Sequence, residues 1–106
     1  MKKGSKYGNI KTEYNGVLYD SKAEARRAIE LDVLLKAGDI ENLRRQVPYP
    51  LMVNDKKIGT YKADFVYFDK RKQKEVVEDV KGMVTAVFKI KQKILEANGV
   101  EITIIK

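Results

Sequence analysis

The chain has 106 residues, 43% of them hydrophobic and 35% charged, with a formal net charge of +7. That length and balance suit one globular domain with one core, and no apolar run approaches the ~18–20 residues of a membrane span, so a cytosolic protein with no membrane partner is expected. Cysteine and histidine are absent, which excludes zinc ribbons, thiolate nucleophiles and histidine triads within one chain; any metal would be held by carboxylate, carbonyl and water oxygens, pointing to magnesium or manganese.

Residues 1–10 read as a flexible basic arm, in which Lys6 could meet phosphate and Tyr7 could stack on a base. Residues 11–106 read as a single domain. Lys11–Tyr14 and Val17–Tyr19 flank Asn15-Gly16, the pair that best tolerates the two positive φ angles of a type I′ hairpin turn. Ser21-Lys22-Ala23-Glu24 matches the S-x-x-E capping box, so a helix is expected from Ser21, with Gly38 as its stop after Ala37. Glu24, Ala28, Leu31 and Leu35 fall on one stripe of that helix, and Ile29 and Leu34 widen its buried side. A carboxylate at the head of a core-facing stripe is unusual, although the capping box accounts for it.

Leu43–Val47 reads as a strand ended by Pro48 and Pro50. Leu51–Val53 and Ile58–Phe68 flank a turn at Asn54-Asp55-Lys56-Lys57. A basic turn at Lys70–Lys74 leads to a strand over Glu75–Lys81, broken by Gly82. A second helix is expected from about Thr85 to Asn98, with Val84, Phe88, Lys91 and Leu95 on one edge of its inner stripe and Val87, Ile90 and Ile94 on the other. Val100–Ile105 is the last strand. The fold class is therefore α/β, a central mixed sheet flanked by helices in the order helix-strand-strand-strand-helix-strand. The closing strand–helix–strand crossover implies a parallel pair.

Positive charge gathers in three places: the N-terminal arm, the turn at Lys70–Lys74, and Lys89, Lys91 and Lys93 on the second helix. Such clustering points to a polyanionic partner, nucleic acid in particular.

The carboxylates that carry chemistry lie on two consecutive strands. Asp64 interrupts Tyr61-Lys62-Ala63-Asp64-Phe65-Val66-Tyr67-Phe68, where aspartate is disfavoured. In Val76-Val77-Glu78-Asp79-Val80-Lys81, alternation puts Val77, Asp79 and Lys81 on one face and Val76, Glu78 and Val80 on the other. If the strands pair around the basic turn, Asp64 and Asp79 lie near one another, with Lys81 beside them. Two adjacent carboxylates repel, and a divalent cation relieves that cost.

Asp64 followed fifteen residues later by Asp79-Val80-Lys81 resembles the PD-(D/E)XK nuclease signature, with Ala63 where the motif has proline. Lys6-Tyr7-Gly8-Asn9, Tyr19-Asp20-Ser21-Lys22-Ala23-Glu24-Ala25 and Val77-Glu78-Asp79-Val80-Lys81-Gly82 resemble a family of small bacteriophage and prophage proteins. That family is long catalogued as a domain of unknown function and grouped with the same superfamily, alongside Holliday-junction resolvases. The resemblance implies a restriction-endonuclease-like fold and a magnesium- or manganese-dependent endonuclease acting on DNA, branched DNA included, as a homodimer. It implies that Asp64 and Asp79 hold the metal, that Lys81 positions the attacking water, and that Glu24 completes the shell directly or through water. Some relatives place a polar residue near the site where Gln46 stands; as a residue of this strand, Gln46 is read as exposed. The alternative is a DNA-binding accessory protein that keeps the fold without turnover, but such a module gains nothing from carboxylates beside phosphates.

Overall fold

The computed structural model describes residues 10–106; the expectations for the arm, Lys6 and Tyr7 included, lie outside them. A two-stranded hairpin, β1 (Thr12–Tyr14) and β2 (Val17–Tyr19), comes first. Its turn has φ of 52° at Asn15 and 83° at Gly16, the two positive angles that Asn-Gly tolerates. Helix α1 (Lys22–Ala37) follows, capped by the Ser21 side chain and closed by Gly38 in the left-handed region. Strands β3 (Ile40–Val53), β4 (Lys56–Asp69) and β5 (Lys74–Val80), helix α2 (Ala86–Ala97) and strand β6 (Ile102–Ile105) complete the chain. The hairpin expected around Asn15-Gly16 forms a sheet of its own, so the element order differs from the expected helix-strand-strand-strand-helix-strand, which did not count it.

The main sheet is mixed, in the order β3-β4-β5-β6. β3, β4 and β5 run antiparallel, and β5 pairs with β6 in parallel across the α2 crossover. One face carries α1 on a core of Tyr19, Ala25, Ala28, Leu31, Ile40, Phe65, Tyr67 and Val76. The other carries α2 on Leu51, Tyr61, Ala63, Val66, Val77, Phe88, Leu95 and Ile102.

Pro48 and Pro50 do not end a strand. β3 runs through both, paired to Lys62 and Thr60 of β4. β3 is an edge strand, and two prolines spaced by two share one parity, so both can turn their missing N–H toward the open edge. The expected four-residue turn shrinks to Asn54-Asp55, with φ of 49° and 66° and Val53 paired to Lys56. The two lysines after it belong to β4. The helix stripes are narrower than their apolar content suggested. Ile29 and Leu35 of α1, and Val87 and Ile90 of α2, are exposed. The single-layer sheet offers each helix one contact line, held by Ala28 and Leu31 on one side and by Phe88 and Leu95 on the other.

Candidate active site

The site lies where the sheet forks. β4 and β5 pair from Asp69↔Lys74 as far as Phe65↔Glu78 and then separate, while β5 continues against β6 to Val80↔Ile105. At the same point the alternation of β4 breaks: Ala63 belongs to the α2 core and Phe65 to the α1 core, although residues two apart on a regular strand share a face. Asp64 sits between them. Its Oδ2 accepts the Val80 N–H at 2.8 Å, so the carboxylate satisfies a backbone donor that strand separation would leave bare. Across the kink, Gln46 of β3 has φ of 52°. A glutamine in the left-handed region is uncommon, and strain of this kind collects at functional sites.

Four elements deliver side chains to the fork. Asp79 projects from β5 on the α2 side. The buried Tyr61 hydroxyl donates to its Oδ2, and the Lys81 ammonium lies 3.8 Å from its Oδ1. Glu78 points to the opposite face, as alternation requires, but into the core: Arg27 grips it with Nε at 2.8 Å and a second nitrogen at 2.6 Å, and Tyr67 donates its hydroxyl. Glu24 enters from α1. Only half of its capping box forms, with Ser21 Oγ accepting the Glu24 N–H at 3.1 Å. Its carboxylate turns inward instead, 3.5 Å from Gln46 Nε2 and 3.9 Å from an Arg45 guanidinium nitrogen. The Arg45 guanidinium in turn lies 4.5 Å above the Tyr19 ring.

Gln46 therefore stands inside the site and not on an exposed strand face. Its amide donates two long hydrogen bonds of 3.5 Å, one to Glu24 and one to Asp64 Oδ1. The positive φ at Gln46 breaks the pleat that the exposed assignment assumed. This amide also stands between Glu24 and the aspartates. Among the described residues no three acidic side chains form a ready metal cage, and the close pair is Asp64 with Asp79.

The electrostatics follow from this crowding. Burial raises the Asp64 carboxyl to about 7; the Val80 N–H opposes the rise, and the neighbouring Asp79 and Glu24 charges add to it. Asp79 also raises Asp64 through a side-chain hydrogen bond. Glu24 is raised as well, by burial first and the Asp20 charge second. The Tyr61 phenol is pushed far above its ordinary range by burial and by its bond to Asp79, which keeps it a donor.

These groups open onto a cleft of about 940 Å³, walled by α2 and by the end of β4 released at the fork. Lys11, Lys62, Lys81 and Lys91 line it, together with the carboxylates. Of the three α2 lysines expected to meet DNA, Lys91 alone faces the cleft; Lys89 and Lys93 are exposed outside its lining. The basic turn begins at Lys70, just past the end of β4, and lies apart from the cleft. Tyr61, Arg45 and Phe88 were not legible as site residues. For Tyr61 a signal did exist, since a tyrosine buried in a strand needs a partner for its hydroxyl.

Among the described residues, no helix is long and apolar enough to cross a membrane. No curated protein and no solved structure matches the chain. A family model does, over residues 4–105. By that match, which takes in nearly the whole chain, the protein belongs to the family described as "protein of unknown function (DUF1064)".

Proposed function

We propose that this protein is a metal-dependent DNA endonuclease of the PD-(D/E)XK superfamily with a restriction-endonuclease-like fold. One observation carries the reading. Asp64 and Asp79, fifteen residues apart in sequence, meet at the sheet fork with Lys81 on the same face as Asp79, inside a cleft lined with further lysines. A core would not collect these charges, and a surface would not bury Asp79 to 4% exposure.

The residues fit a hard divalent cation. The donors are all oxygens, and burial, with the Asp79 and Glu24 charges beside it, raises the Asp64 carboxyl to about 7, so that near neutrality a cation can take the place of its proton. Magnesium or manganese held by Asp64 and Asp79, with Glu24 behind the Gln46 amide, would supply Lewis-acid relief of charge on a phosphoryl oxygen. The chain does the rest. Lys62 and Lys91 draw the phosphate backbone into the cleft as point charges. Lys81, one-third exposed, orients the attacking water and, as a cation, offsets the negative charge that develops on the phosphoryl oxygens. Gln46 bridges Glu24 and Asp64 through two long hydrogen bonds, and Tyr61 orients Asp79.

The test is incubation of the purified protein with supercoiled plasmid and with four-way junction DNA, in magnesium or manganese and in excess chelator. Nicking in metal alone is expected. Equal cutting in chelator would overturn the metal's role, and intact DNA bound in every condition would favour the accessory protein without turnover.

A further inference from the structure

The ammonium of Lys81 has a seat that neither the motif nor the sheet provides. Its backbone is fixed, since the Lys81 N–H donates to Ile105 O at 2.9 Å. Its head group is not fixed by Asp79, because 3.8 Å is an ion-pair distance and too long for a hydrogen bond. A lysine held only by such a pair, one-third exposed to water, keeps most of its rotamers. The remaining contact is aromatic: Lys81 Nζ lies 4.6 Å from the centroid of the Phe88 ring, where the negative face of the ring attracts a cation.

Phe88 is 4% exposed at the start of α2, in a buried cluster with Leu51, Tyr61, Ala63, Val66, Val77, Leu95 and Ile102. A leucine would fill such a place; an aromatic ring does something more. Tyr61, in the same cluster, stacks against Phe88 with centroids 6.2 Å apart and planes tilted by 53°, and its hydroxyl holds Asp79. The four side chains close a loop, Tyr61 to Asp79 to Lys81 to Phe88 and back to Tyr61. Both charged members face the cleft, and both aromatic members are buried.

We propose that Phe88 is a positioning residue for Lys81: its ring face seats the ammonium beside Asp79, and the Tyr61–Phe88 pair couples helix α2 to the reacting end of β5. The inference rests on the nuclease reading for its kinetic consequence but not for its geometry. A residue that only fills the core would respond to its volume. A seat responds to the charge on the ring face.

The experiment separates these. Phenylalanine at position 88 is replaced by its mono-, di- and trifluorinated forms, which deplete the ring face while nearly keeping its shape. The expected result is a stepwise fall in kcat on nicked-plasmid formation, reaching about tenfold for the trifluoro form, the scale of a partly desolvated cation–π contact. KM for DNA and the melting temperature should stay level. A flat kcat series, or a fall that tracks melting temperature, would overturn the proposal. The second readout needs no turnover. In the unmodified protein the Lys81 ε-methylene protons should resonate upfield under the Phe88 ring current, and Phe88→Leu should return them to ordinary values. Their absence from the upfield region would overturn the seat. An upfield signal in a protein that cuts no DNA would keep the seat and discard the nuclease.

Discussion

Asp64 is the residue on which the site's electrostatics turn. Its carboxyl stands at about 7 in the fold against an ordinary 3.8. The folded protein therefore holds more protons than the unfolded chain between those values, and stability falls as pH rises through that window. Below about pH 4 the carboxyl is neutral in both states and costs nothing. Asp64→Asn removes the penalty and keeps an acceptor for the Val80 N–H. In chelator at pH 8 this variant should melt above the unmodified protein, and the gap should close toward pH 4. Magnesium should raise the melting temperature of the unmodified protein at pH 8 and leave that of Asp64→Asn nearly unmoved. A gap that is constant across pH would mean that Asp64 is not the group that burial disfavours. The roles of Asp79 and Lys81 are read by rate. Asp79→Asn should lose nearly all nicking while DNA binding, followed by gel shift, persists. Lys81→Ala should slow turnover by at least ~10²-fold and leave magnesium affinity, measured by calorimetry, largely unchanged.

Strand β5 shows how much of the site could be read beforehand and where reading stopped. Alternation alone separated Glu78 from Asp79, and the two do face opposite sides. What alternation could not supply was the fate of Glu78, because Arg27 lies fifty-one residues away on α1 and nothing local signals the pair. The consequence is a divided prediction. Glu78→Gln should leave turnover per folded molecule almost intact, since the side chain never reaches the cleft. It should cost about 3 kcal/mol of stability, because Arg27 loses its fully buried counter-charge, and urea denaturation would measure that loss. A dead but stable Glu78→Gln would place the chemistry on the other face of β5. Gln46 was misjudged for a related reason: a single positive φ in β3 turns its amide from the pleat into the site, and glutamine carries no sequence signal for that angle. The turn at Asn15-Gly16 was legible in full, whereas the one at Asn54-Asp55 was legible in place but not in length, since Lys56 and Lys57 belong to β4. The prolines misled because their tolerance depends on β3 being an edge, which is a property of the whole sheet.

The described residues form a thin body, with extents of 42 × 42 × 20 Å, and the cleft lies against a sheet with a single helix on that face. If DNA is the substrate, as proposed, Lys62 and Lys91 meet it from the lining that they share with the carboxylates. Neither lysine makes an ion pair among the described residues, so each is free to displace a counterion from phosphate. Each such displacement contributes about 0.9 to the slope of log affinity against log salt on duplex DNA. Replacing both by glutamine should therefore flatten that slope by roughly 1.8. The loss should be the same for unrelated sequences, because lysine meets phosphate as a point charge and reads no base edge. A contact that ignores sequence has only the shape of the backbone left to discriminate. Four-way or flapped DNA should then be cut in preference to linear duplex of the same sequence, and more so if two copies present two Asp64–Asp79–Lys81 sites about a two-fold axis. Competition cleavage of matched junction and duplex substrates, with the oligomer sized on and off DNA, measures both. Selective cutting of plain duplex at one defined sequence by a single copy would mean that some element reads bases, and the lysine-lined cleft would not then account for where this protein cuts.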